Sequence, residues 1–168
     1  VVRVIKWKDI QEVLEGGIHL MGFIAFVMLI ASGYATVIRA TGAVDQLVES
    51  AFNMLGGSKL AGSSIMILLG LLITMGIGTS FGTVPVIAAI YVPLSIKLGF
   101  SPAAIVFMIA VAAALGDAGS PASDTTLGPT AGLNADGQHD HIWDTCVPQF
   151  ICYDIPLMIV GIICPLFI

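Results

Sequence analysis

The residues best suited to chemistry lie in one polar stretch, LGDAGSPASDTTLGP, at positions 115–129. It follows an apolar run, SPAAIVFMIAVAAA, that is typical of a membrane helix. The stretch combines two carboxylates with four hydroxyl groups, which belong to Asp117, Asp124, Ser120, Ser123, Thr125 and Thr126. Such hard oxygen ligands suit a small alkali cation or a proton and not a soft metal. The pattern predicts a cation- or proton-binding site that includes Asp117 and Asp124.

The backbone of the same stretch is expected to leave the helix. Pro121 has no N–H, so the carbonyl of Asp117, four residues earlier, loses its helical donor. Gly116 and Gly119 allow the dihedral angles of an unwound segment at low cost. Irregular backbone at membrane depth occurs only where it is buried in protein or lines a cavity, and a carboxylate there costs about 2.5–3.5 kcal/mol. The break is therefore expected to be a site.

The alternative is that residues 116–130 form a plain loop with their acids in water. The following LGPTAGLN is loop-like, which favours this alternative. However, residues 102–116 supply only about 15 helical residues, or about 22 Å, which is short of a hydrocarbon core of about 30 Å. The helix must therefore continue through or beyond the polar stretch, and the site is the preferred interpretation.

A second interrupted patch, GIGTSFGTVP, occupies positions 76–85 and offers the hydroxyls of Thr79, Ser80 and Thr83. Pro85 is expected at the start of a half-helix with Thr83 as its N-cap, whose free N–H groups would face an anion. The alternative is a glycine-rich packing notch between helices. Two interrupted apolar segments side by side are typical of the binding site of a secondary transporter.

The bulk composition places the chain in a membrane. Its 168 residues are 57% hydrophobic and 10% charged, whereas soluble domains average about 25% charged residues. An apolar fraction this high must face lipid. The chain has no basic run interleaved with aromatics, so no nucleic acid partner is expected. No nucleophile–base pair, P-loop or dinucleotide fingerprint is present, so neither an enzyme nor a cofactor is predicted.

Residues 1–58 are expected to hold an N-terminal flank, a first transmembrane helix and an amphipathic interfacial helix. The flank, residues 1–17, contains Arg3, Lys6, Trp7 and Lys8. The apolar run 18–38 has about the length of a membrane span. The positive-inside rule then puts the N-terminus in the cytoplasm, but the orientation stays open because further bases follow the span.

Residues 43–55 have the period of an amphipathic helix. The apolar positions are Val44, Leu47, Val48, Ala51, Phe52 and Leu55. The opposite face carries Asp45, Gln46, Glu49 and Asn53. Gly56 and Gly57 are expected to end this helix, which would lie in the membrane interface or along a neighbouring bundle.

Residues 59–168 are expected to form the transport-type region. The prediction is a hairpin (60–98), a broken helix (102–130), a polar loop (131–146) and a last transmembrane helix (147–168). The two apolar pieces of the hairpin, about 16 and 15 residues, are short for a full crossing. The predicted fold class is therefore an all-α membrane protein, a helical bundle with a re-entrant hairpin and a broken transmembrane helix.

At its two polar patches the chain resembles the NhaC-type sodium/proton antiporters of the ion transporter superfamily. Residues 78–83, GTSFGT, resemble that family's Gly-Thr-Ser-Trp-Gly-Thr, with Phe81 in place of the usual Trp. Residues 116–126, GDAGSPASDTT, resemble its Gly-Asp-x-x-Ser-Pro-x-Ser-Asp-Thr-Thr. A weaker pattern is formed by His141-Ile142 with Thr145 and Pro148. The resemblance covers about residues 60–150.

The resemblance implies a transport domain of two inverted repeats, each with a re-entrant hairpin and a broken helix. This chain would be the C-terminal half of such an inverted-repeat transporter, in the cell (inner) membrane. Its partners would be the lipid bilayer, sodium, protons and the missing N-terminal repeat, and a homodimer stays open. Family members often carry Lys or His where this chain has Ala118, which would alter coupling or substrate.

The expected mechanism is exchange by competition. Asp117 and Asp124 would bind sodium when ionised and protons once the ion has left. The hydroxyls of the stretch complete the shell, and those of Thr79, Ser80 and Thr83 face it from the hairpin tip. One alternative is a sodium- or proton-coupled transporter of an organic anion or amino acid. Another is a scaffold or channel subunit with continuous helices through 76–85 and 116–126.

Other polar residues have plainer interpretations. HDHIWD, at 139–144, has the composition of a metal patch or a pH sensor, but a solvated loop is preferred because no fourth ligand stands at a fixed spacing. His19 and Asp154 lie near span ends, where snorkelling explains them, although Asp154 could join the site. Cys146 and Cys152 are interpreted as small buried apolar side chains instead of a redox pair.

Overall fold

The computed structural model describes residues 10–168 and, within the first helix, part of the side chains. The helices are α1 (Ile10–Ala40), α2 (Ala43–Leu55), α3 (Lys59–Ile77), α4 (Ser80–Lys97), α5 (Pro102–Gly119), α6 (Asp124–Leu133) and α7 (His141–Leu166). The predicted flank bases and Trp7 lie outside the described residues, as do the side chains of His19 and Arg39.

Every regular secondary-structure element of the described residues is a helix. Four segments of this part are long and apolar enough to cross a membrane. They are Lys59–Ile77, Ser80–Lys97, Pro102–Leu133 and His141–Leu166. Large apolar side chains such as Leu72, Val106 and Phe167 are exposed on the outer surface, as expected where lipid replaces water. The predicted all-α membrane architecture is confirmed.

The predicted amphipathic helix is present as α2. Val44 and Val48 are buried against the bundle, and Asp45 and Glu49 are exposed. The helix ends at Gly56, whose φ of 58° lies in the left-handed region that glycine adopts without strain. Glu49 pairs with Lys97 at the end of α4. This helix therefore packs along the bundle through one apolar face and one ion pair.

The hairpin of α3 and α4 is present, with longer arms than predicted. The arms have 19 and 18 residues, or about 28 and 27 Å at 1.5 Å per residue. The chain reverses at Gly78, whose φ is 74°, and the hydroxyl of Tyr91 donates to the carbonyl of Met66 across the antiparallel pair. Lys59 lies beside Gly99, so both ends of the hairpin meet on one side. Whether the hairpin is re-entrant stays a prediction.

Close helix packing positions the hairpin tip against the C-terminal end of α5. Gly70 lies on Ala112, and Gly116 lies on the backbone of Leu71 and Met75. The hydroxyl of Thr74 donates to the carbonyl of Ala112 at 3.1 Å. Later residues of α3 contact later residues of α5, so the two helices run parallel. The small residues at these contacts let the two backbones approach closely.

The last helix begins earlier than predicted. It starts at His141 instead of 147, because the carboxylate of Asp140 accepts hydrogen bonds from the N–H groups of Ile142 and Trp143, both at 2.9 Å. The polar loop is correspondingly shorter, since α6 ends at Leu133. The helix packs antiparallel to α5, with Gly161 against Val111. Its first residues, 141–154, include two π-helical turns.

Candidate functional site

The predicted break in the segment Pro102–Leu133 is present. The first part, α5, ends at Gly119, and α6 begins at Asp124. The carbonyl of Asp117, which Pro121 deprives of a helical donor, accepts a hydrogen bond from the hydroxyl of Thr125. The hydroxyl of Thr126 likewise donates to the carbonyl of Ser120. Side-chain hydroxyls therefore replace the missing backbone donors, as buried backbone groups require.

The two serines of the break connect it to its neighbours. Ser123 is the N-cap of α6, where its hydroxyl oxygen accepts from the N–H of Thr125 at 3.2 Å. Ser120 is fully buried and donates to the carbonyl of Met75, in α3, at 3.1 Å. Both serines are thus held by the fold, and the break is a shaped segment and not a plain solvated loop.

The carboxylate of Asp117 is the centre of the polar cluster. It accepts hydrogen bonds from the hydroxyl of Ser80 at 2.8 Å, from the N–H of Ser80 at 3.4 Å and from the hydroxyl of Ser123. The N-terminal end of α4 and the N-cap residue of α6 supply these three donors. The hairpin tip and the break thus meet at one carboxylate.

The predicted N-cap at Thr83 is wrong. The fourth helix begins at Ser80, with Thr79 as N-cap, and Pro85 lies inside it. Thr83 is buried and its hydroxyl donates to the carbonyl of Thr79 at 2.9 Å. The anion that meets this helix N-terminus is the carboxylate of Asp117. Of the three tip hydroxyls, that of Ser80 reaches the cluster.

Asp124 lies apart from this cluster. It is exposed, as the first residue of α6, and no hydrogen bond to its carboxylate is seen among the described residues. An acid in the first turn stabilises a helix through the helix dipole, which accounts for its position. Its role as a second cation ligand stays a prediction.

An open groove gives access to the cluster. Its volume is about 410 Å³, and it is lined by Ser80, Ala114, Asp117, Ala118, Thr125, Gln149 and Tyr153. The small side chain of Ala118 leaves this groove free beside Asp117. A small cation and its water shell can therefore reach the carboxylate from outside the described chain.

The segment HDHIWD is only partly a loop: His139 precedes the last helix, His141 begins it, and both histidines are partly exposed. His141 lies 2.8 Å from the carbonyl oxygen of Pro121 through Nε2 and 2.7 Å from the hydroxyl of Thr130 through Nδ1. The Nε2 atom of His139 lies 2.6 Å from the hydroxyl of Thr145. His141 therefore fastens the start of α7 to the break. Among the described side chains no three His, Cys, Asp or Glu residues converge as metal ligands.

Asp154 is a buried acid that sequence reasoning assigned to a span end. It is 1% exposed and lies against Gly119, the last residue of α5. Because the last helix starts at His141, Asp154 lies midway along α7 and not at its end. The sequence feature that could have identified Asp154 as a buried acid is its position inside an apolar run. The interpretation of both cysteines as buried side chains holds for Cys146 and is wrong for Cys152, which is exposed; both are free thiols.

Comparisons with known proteins assign the chain to a family. The model of the Na+/H+ antiporter family matches residues 1–162. YuiF of Bacillus subtilis, for which amino acid transport is proposed, is 57% identical over 158 residues, which are 94% of this chain and 36% of that protein. An uncharacterized membrane protein of Vibrio parahaemolyticus is 56% identical over the same shares of the two chains.

A more distant relative is the Na(+)/H(+) antiporter NhaC of Alkalihalophilus pseudofirmus, 24% identical over 159 residues, or 94% of this chain and 34% of that protein. The chain thus spans about a third of the length of the curated relatives that it matches. No solved structure matches it significantly. The family match covers nearly the whole chain and both polar patches, and the chain belongs to the Na+/H+ antiporter family.

Proposed function

We propose that this chain forms part of the ion site of a secondary transporter that exchanges sodium for protons across the cell membrane. The observation that carries the proposal is the carboxylate of Asp117, which lies at a helix break within a membrane-spanning segment and meets the hairpin tip. Ionisable residues in such a position mark ion pathways in membrane proteins. Family membership supports cation/proton antiport as the general activity.

The proposed chemistry uses the same oxygens for both ligands. The hydroxyls of Ser80 and Ser123 donate to Asp117. When sodium arrives, these hydroxyls can turn their lone pairs toward the ion, since a hydroxyl group is both donor and acceptor. A proton on Asp117 removes the negative charge that holds the ion, so that ion and proton compete. The hydroxyls of Ser120, Thr125 and Thr126 lie in the same break and are the proposed remainder of the shell.

We further propose that other parts of the transporter complete the site. The open groove beside Asp117 is the face that a matching repeat would cover, as the resemblance to inverted-repeat antiporters implies. Sodium is then cargo or coupling ion, and the lipid bilayer surrounds the apolar outer surface.

The test is exchange activity in proteoliposomes. Asp117→Asn keeps the shape of the side chain and removes its charge, so we expect sodium-dependent proton flux to be lost while insertion is unchanged. Asp136→Asn, in the exposed loop before α7, is the control and should retain flux. Asp124→Asn shows whether the exposed acid participates. Unaltered flux in Asp117→Asn would refute the proposal.

A second candidate is coupled transport of an amino acid. It is favoured by the high identity to YuiF, for which amino acid transport is proposed. The free groove beside Ala118 has room for a small organic substrate. Uptake of labelled amino acids into the same vesicles, driven by a sodium or proton gradient, separates the two candidates, because an antiporter shows cation exchange without any amino acid.

A further inference from the structure

Asp154 is a buried carboxyl group that the cluster around Asp117 does not use. Neither of its oxygens has a hydrogen-bond partner among the described residues, and its side chain is 1% exposed. It lies within a segment apolar enough to cross a membrane. An ionised carboxylate enclosed without donors is strongly unfavourable. In this arrangement the Asp154 carboxyl group is therefore neutral and holds a proton.

The position of Asp154 links it to the helix break. A Cβ atom on Gly119 would lie 2.3 Å from Oδ2 of Asp154 and 3.0 Å from Cδ2 of Phe150. The carboxyl group thus occupies the space that a side chain at Gly119 would fill. Gly119 ends α5, two residues after Asp117. Carbonyl groups at a helix C-terminus carry partial negative charge, which disfavours an ionised Asp154 further.

Few ionisable groups face Asp154 from the helices around it. The fifth helix carries Asp117 two residues before Gly119, and the third helix carries Lys59 at its far end. On α7 itself, the neighbouring Cys152 and Tyr153 are exposed. No cationic side chain of the described part pairs with Asp154. The charge most able to change its ionisation is therefore a cation that binds close to Asp117.

We propose that Asp154 is a second proton-binding site, separate from the Asp117 cluster, and that it releases its proton when a cation binds at Asp117. This inference rests on the proposed exchange of sodium for protons. A positive charge near the end of α5 offsets the cost of ionising Asp154. The O–H bond of the carboxyl group breaks, the proton passes to water, and the remaining negative charge balances the bound cation. Return of the proton favours loss of the cation.

The experiment uses the purified, folded protein and two measurements. Infrared difference spectra, taken between neutral and alkaline conditions, report the C=O stretch of carboxyl groups that stay protonated at neutral pH, where exposed carboxyl groups are already ionised. Proton release on addition of sodium is measured in weakly buffered solution. The variants are Asp154→Asn, with Asp154→Ala as a second replacement in case the amide prevents folding. The matched control is Asp45→Asn, an exposed acid on α2.

We expect a protonated-carboxyl band in the wild type and in Asp45→Asn that both Asp154 variants lack. We also expect the Asp154 variants to release fewer protons per sodium bound while sodium still stabilises them against heat. Wild-type spectra or wild-type proton release in the Asp154 variants would overturn the inference. If the wild type releases no proton on sodium addition, the proposed exchange of sodium for protons fails. A protonated-carboxyl band that the Asp154 variants lack would still show that Asp154 binds a proton.

Discussion

Replacing Gly116 by alanine tests the close contact that holds the break against the hairpin. The added Cβ would lie 2.3 Å from the backbone nitrogen of Met75, 2.6 Å from the carbonyl oxygen of Leu71 and 2.7 Å from Cβ of Thr74. Carbon atoms pack favourably at about 3.5–4.0 Å. Two of the three atoms are backbone, so no rotamer change relieves the clash. Helices α3 and α5 must therefore separate by about 1 Å, judged from that optimal spacing.

The expected cost follows from overpacking, which destabilises by about 1–3 kcal/mol. The control is Gly76→Ala, because Gly76 is also helical and a Cβ there meets no atom within 4 Å. Both variants gain about 1 kcal/mol of helix propensity, so their difference isolates the clash. Gly116→Ala should be less stable than Gly76→Ala by about 1–3 kcal/mol in thermal unfolding in detergent. Equal stability of the two variants would refute the close α3–α5 packing.

Two further predictions concern the polar contacts of the break. Ser80→Ala removes a hydroxyl that donates to Asp117. It should destabilise the protein by about 1–2 kcal/mol more than the control Ser64→Ala, because the hydroxyl of Ser64 donates only within its own helix. Equal thermal shifts of the two variants would contradict the Ser80–Asp117 contact. His141→Ala removes the bond to the Pro121 carbonyl, so amide hydrogen exchange at residues 120–126 should accelerate while that of α2 stays unchanged; unaltered exchange at the break would show that His141 does not hold it.

The location of the helix break was predictable from the sequence because its causes are local. A proline removes one N–H and frees the carbonyl four residues earlier, whatever the rest of the fold does. The helix break after Gly119 and the hydroxyls that serve it follow from residues within one short stretch. The amphipathic helix α2 is equally local, since its stripe has the helical period.

Which side chains meet at the helix break was decided by tertiary structure. Ser80 reaches Asp117, 37 positions away in the chain, because small residues let α3 and α5 pack in parallel. Asp124 is exposed although it shares the motif. Asp154 is buried because the cap at Asp140 starts the last helix early and Gly119 leaves space for a carboxyl group. Local composition determines where a helix ends, whereas helix packing determines which acid is enclosed and which one faces a donor.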